Sequence, residues 1–288
     1  MPHFRRGASS PVESLKSTPT MLLVSYVLLC FAAIVSITPF LYILSTSLKD
    51  TNSLFSYPPD WIPEQLFWGN YAKLFEQTSF VRWTLNTLGV GIAITGLKLV
   101  MDSMAAFALA KLRFRGKALL TTFLLLLVAV PIAALVVPLF FVVRSMGLLN
   151  TYWALILPAL ANPLGILMLR SFMVSLPEDL DHSARLDGAS EWKVLTQIVL
   201  PLIKPGLVVH AIFTFMLQYT SFLWPLVAVQ SDHMQVLTVG ISSLKSNFVV
   251  DWGLISAASL LATIPITVLF LALQRFFLSQ NLSAALKH

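Results

Sequence analysis

Lys98 and Asp102 stand four residues apart inside an otherwise uncharged stretch, residues 83–110. An ionisable side chain at the centre of a membrane costs about 2.5–3.5 kcal/mol on insertion scales, so it faces a partner or a wet cavity. At i and i+4 the two can meet on one helix face. Three chemistries are open to them: mutual neutralisation, with the lysine stem reaching toward headgroups; a place on a path for hydroxyl-rich solutes; or a proton relay of the kind a gradient-driven carrier uses. A second group lies at Gln218, Tyr219, Thr220, Ser221 and Trp224. Planar polar groups that bond hydroxyls, beside aromatic rings that pack on C–H faces, are the equipment of a sugar path. The same residues can instead join helices by hydrogen bonds. His210 reads as a helix-packing or interfacial histidine. No His, Cys, Asp or Glu spacing suggests a metal site and no nucleophile stands with a base, so the chain is not expected to be an enzyme. Cys30 is the single cysteine, packed or lipid-facing.

Residues 177–201 form a charged island between long apolar stretches. Pro177 suits a first helical turn with Ser175 as its cap, Gly188 can end that helix in a left-handed conformation, Ser190 can cap a second helix, and Pro201 can stop it. The expected product is helix, tight turn, helix. Leu180, Ala184, Trp192, Leu195 and Ile198 recur at roughly helical spacing, which gives each short helix an apolar face suited to another protein's groove. A helix pair lying on the lipid surface is the alternative, although such helices are usually richer in lysine.

The elements that must position these groups are membrane helices. Hydrophobic residues make up 57% of the 288 and charged residues 11%, with a mean hydropathy of +0.81, far from the roughly 25% charged of a soluble domain. Uncharged runs cover 17–48, 118–143, 145–169, 205–231 and 252–274. With 83–110 they predict an all-α, six-span polytopic protein, since about 20 residues cross the hydrocarbon. The expected division is an N-terminal tail over 1–20, a membrane domain over 21–276 and a C-terminal tail over 277–288. Little chain remains for a soluble domain. Pro39, Pro131, Pro138, Pro158, Pro163, Pro225 and Pro265 permit kinks within or near the spans. The two three-span halves show no clear similarity, which argues against the inverted repeats of many secondary transporters.

Orientation follows from lysine and arginine. Arg5, Arg6, Lys16, Lys111, Arg113, Arg115, Lys117, Arg170, Arg185, Lys193, Lys204, Arg275 and Lys287 fall on one side, against Lys49, Lys73, Arg82, Arg144 and Lys245 on the other. Both termini and the island are therefore expected in the cytoplasm, and the +6 net charge reflects topology rather than nucleic-acid binding. The first apolar run, from about Met21 to Leu44, is too long for a signal-peptide core and reads as a retained anchor.

The island's spacing carries a resemblance. Ser183-Ala184, three residues, Gly188, nine residues and Ile198-x-Leu200-Pro201 resemble the "EAA" loop of the membrane subunits of ABC importers. Arg185-Leu186-Asp187-Gly188-Ala189-Ser190 fits, whereas His182 and Ser183 replace the glutamate and first alanine. Tyr57-Pro58-Pro59-Asp60-Trp61-Ile62-Pro63, Asn70-Tyr71, Asn86-Thr87, Ala106 to Ala110, Phe114-Arg115-Gly116, Gly147-Leu148 and Phe222-Leu223-Trp224-Pro225-Leu226 extend the resemblance over nearly the whole chain, toward the smaller maltose-type subunit of carbohydrate importers. Where such chains often read Trp-Asn-Asp/Glu before Phe-Leu-Trp-Pro, this one has Tyr219, Thr220 and Ser221, so a negative charge is missing.

The resemblance implies an inner-membrane permease that moves an oligosaccharide, disaccharide, polyol or glycerol phosphate by alternating access. It implies a second permease subunit, two ATPase subunits that hold ATP and magnesium, and a periplasmic or lipid-anchored binding protein; this chain itself would bind no cofactor. Residues His182, Ser183, Ala184, Arg185, Asp187, Gly188, Ile198, Leu200 and Pro201 would couple it to the ATPase. His182 cannot supply a permanent negative charge there. An ion- or proton-coupled carrier using Lys98 and Asp102 is the alternative.

Overall fold

A computed structural model describes residues 19–50, 61–63, 65–245 and 250–285, with side chains from Thr20 to Gln274. Residues 1–18 of the expected N-terminal tail, and Tyr57 to Asp60, lie outside them. The fold is all-α, and the single β-bridge among the described residues joins Lys245 to Val250. The helices run α1 (Pro19–Ser47), α2 (Gly69–Gln77), α3 (Phe80–Lys111), α4 (Lys117–Val128), α5 (Ile132–Ser145), α6 (Tyr152–Leu160), α7 (Leu164–Val174), α8 (Glu178–Leu186), α9 (Glu191–Lys193), α10 (Leu200–Leu202), α11 (Lys204–Tyr219), α12 (Leu223–Ala228), α13 (Leu237–Ser243) and α14 (Trp252–Ala285). A π-helical turn, Val194–Val199, joins α9 to α10.

The stretches Thr20–Ser47, Phe80–Lys111 and Trp252–Gln274 are each long and apolar enough to cross a membrane alone. Three bent pairs join them: α4 with α5 at 102°, α6 with α7 at 42°, and residues 191–202 with α11 at 81°, giving up to six spans if each pair is one. The breaks have sequence causes. Pro131 precedes α5 in an extended conformation, and Pro163 precedes α7, where a missing N–H costs no helical bond.

The expected run 205–231 is not one helix. α11 ends at Tyr219 after 16 residues, roughly 24 Å at 1.5 Å per residue; the chain then turns through Thr220–Phe222 into α12. At the other end α14 continues to Ala285, past the apolar limit near 276, because nothing in 275–285 breaks a helix.

α3 is the spine. Its buried face meets α6, α7, α11 and α13 through Trp83, Val90, Ile94, Ala106 and Phe107. One core gathers Val90, Ile94, Val143, Leu155 and Val236; another gathers Leu74, Trp83, Phe215, Tyr219 and Leu237; a third, at the far end of α3, gathers Phe107, Leu169, Met173, Val194 and Leu195. Gly240 lies so close to the Trp83 indole that a Cβ would overlap it. α1, by contrast, packs on α14 yet leaves its apolar side chains exposed from Met21 to Leu44, the pattern of a helix facing lipid or another chain.

Polar clamps hold the loops opposite the island. Asn70 Nδ2 donates to the carbonyls of Ser47 and Lys49, both at 2.9 Å. Asn86 Nδ2 donates to His233 O at 2.9 Å and Gln235 O at 2.8 Å, while its Oδ1 accepts from the Tyr152 hydroxyl. Thr87 Oγ1 accepts from Leu237 N at 2.7 Å. These buried bonds satisfy backbone groups that no ladder serves.

Candidate functional site

The island folds as α8, a tight turn and a second helical arm from Glu191 through Leu202. Gly188 has φ +81°, the left-handed region that favours glycine, and Ser190 Oγ accepts from Lys193 N to start the second arm. Two expectations are corrected. Pro177, extended at φ −54° and ψ 135°, is the cap of α8, while the Ser175 hydroxyl turns back to Phe172 O at 2.8 Å. Pro201 sits inside α10 rather than ending the arm; Ile203 makes the bend, because a proline in a first turn breaks no helical bond there.

The expected apolar face divides in two. Val194, Leu195, Val199 and Ile203 are buried with Ala184 against the third core, and the π-turn aims them inward. Leu180, Trp192 and above all Leu186, 88% exposed, face outward. His182, Ser183 and Asp187 are exposed, and Arg185, Ile198 and Leu200 half-buried. The island therefore has an inner face seated on the helices and an outer face of apolar and polar side chains left exposed among the described residues.

Charged side chains brace the island and the end of α3 on which it sits. Lys111 Nζ, at the end of α3, lies 2.7 Å from Asp181 Oδ2 with both side chains at most 5% exposed, and also donates to Leu176 O. Across the Gly188 turn Arg185 forms a bidentate pair with Glu191, Nε to Oε1 at 2.8 Å and Nη2 to Oε2 at 3.0 Å. That hydrogen-bonded pairing holds Glu191 below the usual carboxylate range and raises Arg185 further. Lys117 Nζ caps the last turn of α3 on the carbonyls of Ala110 and Leu112, both at 3.1 Å. A cleft of ≈ 380 Å³ opens between α3 and α8, lined by Arg113, Glu178, His182, Arg185 and Glu191 among others.

Lys98 and Asp102 do meet, Nζ to Oδ2 at 3.0 Å, and are 4% and 1% exposed. The structure adds His210 from α11, its Nε2 3.0 Å from Asp102 Oδ2 but out of line for a hydrogen bond. Lys98 Nζ also donates to Asn162 O at 2.8 Å, at the α6–α7 break. The polar groups of α11 and its continuation disperse. The Tyr219 hydroxyl donates to Ala262 O on α14 at 2.7 Å, the Trp224 indole N–H to Ala154 O on α6 at 2.9 Å, and Ser221 O accepts from Thr238 Oγ1. Gln218 is half-buried. The Tyr219 and Trp224 side chains thus join helices in this conformation. Among the described residues no group of His, Cys, Asp and Glu could hold a metal ion.

Sequence reasoning left Lys111, Asp181, Glu191 and the partnership of His210 unassigned. Only the Arg185–Glu191 pair had a local signal, two opposite charges flanking a glycine turn. The others need the tertiary path of α3.

Residues 102–280 match the family model of the binding-protein-dependent transport system inner membrane component. The chain belongs to this family. It is 30% identical over 92% of its length, and 96% of the relative's, to the arabinooligosaccharides transport system permease protein AraQ of Halalkalibacterium halodurans. It is 34% identical to the trehalose transport system permease protein SugB of Mycobacterium tuberculosis, over 88% of this chain and 93% of that one, and 32% identical to the diacetylchitobiose uptake system permease protein NgcG of Streptomyces coelicolor, over 88% and 84%. In fold it is similar to a chain of a bacterial ABC transporter that imports the acidic polysaccharide alginate, with a TM-score of 0.81 at 20% identity over 91% of this chain and 98% of that one. The chain is thus a multi-pass membrane permease component of an ABC importer, not an enzyme; ATP hydrolysis is the work of separate subunits. The family likeness favours this over an ion-coupled carrier.

Proposed function

We propose that this chain is one permease subunit of a carbohydrate importer in a bacterial inner membrane, with both termini and residues 177–201 in the cytoplasm. The observation that carries the reading is the two-faced island: a turn that leaves Leu186 88% exposed, seated on α3 by the buried Lys111–Asp181 pair. An element held rigidly on its inner side and bare on its outer side transmits an external push. The outer face, with Leu180, His182, Ser183, Leu186 and Trp192, docks an ATPase subunit; Gly188 sets the turn, while Ala184, Ile198, Leu200 and Pro201 keep the arms in register. His182 offers that partner an imidazole where related loops carry glutamate. Arg185 braces the turn through Glu191, and Asp187 lies beside it on the surface.

A second permease subunit covers part of the apolar surface of α1. Two ATPase subunits bind ATP and magnesium, and a periplasmic or lipid-anchored protein delivers the solute, an oligosaccharide or disaccharide like those named for the relatives. Gln218, Tyr219, Ser221 and Trp224 border the path in the conformations that open it, with Lys98 and Asp102 packed behind them. Purification of the tagged chain from its host in mild detergent, followed by mass spectrometry, tests the assembly. Recovery of an ATPase with a second permease supports the reading. Recovery of the folded chain alone or as a homodimer overturns it.

A further inference from the structure

The buried charges at 98 and 102 lie where three helices cross. Lys98 and Asp102 belong to α3, His210 to α11, and the Asn162 carbonyl to the α6–α7 break. Gly165, in the first turn of α7, presses so close that a Cβ there would overlap the Asp102 carboxylate and the His210 ring. The carboxylate therefore sits against the N-terminal turn of α7, where the helix dipole favours negative charge. Thr214 Oγ1 faces His210 Nδ1 at 3.4 Å on the other side of the ring. Lys98 and Asp102 offset each other's charge as a close pair, which suits their burial.

α7 and α11 are the connecting arms on either side of the island: α7 enters α8, and α11 leaves the bend after α10. Any displacement of the island pulls on both. At its cytoplasmic end α3 is already tied to the island by Lys111 and Asp181; the buried cluster ties it a second time, several turns deeper, to each arm. Two ties separated along one helix suppress rotation about either. Apolar packing alone lets helices slide, whereas a charge pair with a carbonyl ligand is bound to one register.

We propose that Lys98, Asp102 and His210 are positioning residues for transport, a node that makes α3, α7 and α11 move as one body when the island is displaced. This rests on the importer reading. None of the three needs to touch solute.

The test uses the complex recovered through a tag on this chain, with spin labels at Val81→Cys on α3 and Lys204→Cys at the start of α11, in a Cys30→Ser background. Both labelled positions are exposed. Double electron–electron resonance compares the nucleotide-free complex with one trapped by magnesium, ATP and vanadate. The parent is expected to give one distance in both states. Lys98→Met/Asp102→Leu, which removes both charges together and so avoids an unpaired buried ion, and His210→Leu are expected to shift or broaden that distance in the trapped state only. His210→Gln, whose amide can reach where Nε2 stood, restores the parent value. A parent whose distance changes, or an assembled Leu variant whose distance does not, overturns the proposal; should the double variant fail to assemble, His210→Leu decides. If no ATPase comes with the parent, the importer reading has failed before any distance is compared, and the proposal falls with it.

Discussion

Asp181 and Asp102 are both buried carboxylates paired with a lysine of α3, and both are held so closely that neither pair can be halved without cost. Removing one partner of such a pair leaves an uncompensated charge and costs about 3–5 kcal/mol. Lys111→Ala is therefore expected to loosen α8 from α3. The check is the ATPase recovered with tagged chain, which should fall well below parent while the second permease is retained. Arg185 and Glu191 behave differently because water reaches them: their side chains are 29% and 49% exposed, and an exposed pair contributes at most about 1 kcal/mol. Glu191 is depressed below its ordinary 4.5 by the Arg185 hydrogen bond, so its contribution is fully present above that value and is lost as pH falls through the lower, folded one. Retention of ATPase by the parent should thus be flat from pH 8 to 5 as far as this pair is concerned. Glu191→Gln should lower retention slightly relative to the parent across that range and leave no step from this pair below it.

At the scale of elements, the turn at Gly188 and the contact at Gly165 separate two uses of glycine. A Cβ at Gly188 meets nothing within 4 Å, so substitution there acts through φ alone, at about 1–2 kcal/mol for a left-handed residue. Gly188→Ala should weaken transport modestly and Gly188→Val strongly, read as ATP-driven uptake in vesicles; full activity in Gly188→Val would show that the turn is not required. Gly165→Ala acts through space, driving a methyl into Asp102 and His210, and should lower the thermal stability of the purified chain by more than Gly188→Ala does. The helix–turn–helix of the island was legible from Pro177, Gly188 and Ser190 because caps and left-handed turns are local. The roles of Ser175 and Pro201 were not, since a hydroxyl has two backbones to choose from and a proline is compatible with either edge of a break. The inward turn of Val194 and Leu195 was hidden as well, because a π-turn shifts the periodicity on which a helical face is read.

For the whole molecule, membrane character followed from composition, and the family from spacing in 182–201 together with short motifs elsewhere. Asn70, Asn86 and Thr87, quoted only as points of resemblance, prove to be the clamps on the loops opposite the island. What the sequence hid is tertiary: which carboxylate meets Lys111, which histidine meets Asp102, and that Tyr219 and Trp224 bond to α14 and α6. The molecule that results is a spine, α3, with the island seated at one end and an α1 that packs on α14 and is otherwise exposed among the described residues. The importer proposed for this chain requires that the outer face of the island receive the ATPase. The most direct measurement is photocrosslinking in the native membrane from a benzoylphenylalanine placed at Leu186. A covalent adduct containing a peptide of an ATP-binding subunit is expected, lost when the island's seat is broken by Lys111→Ala; adducts with lipid alone, in membranes where the importer is assembled and active, would rule out docking at this face.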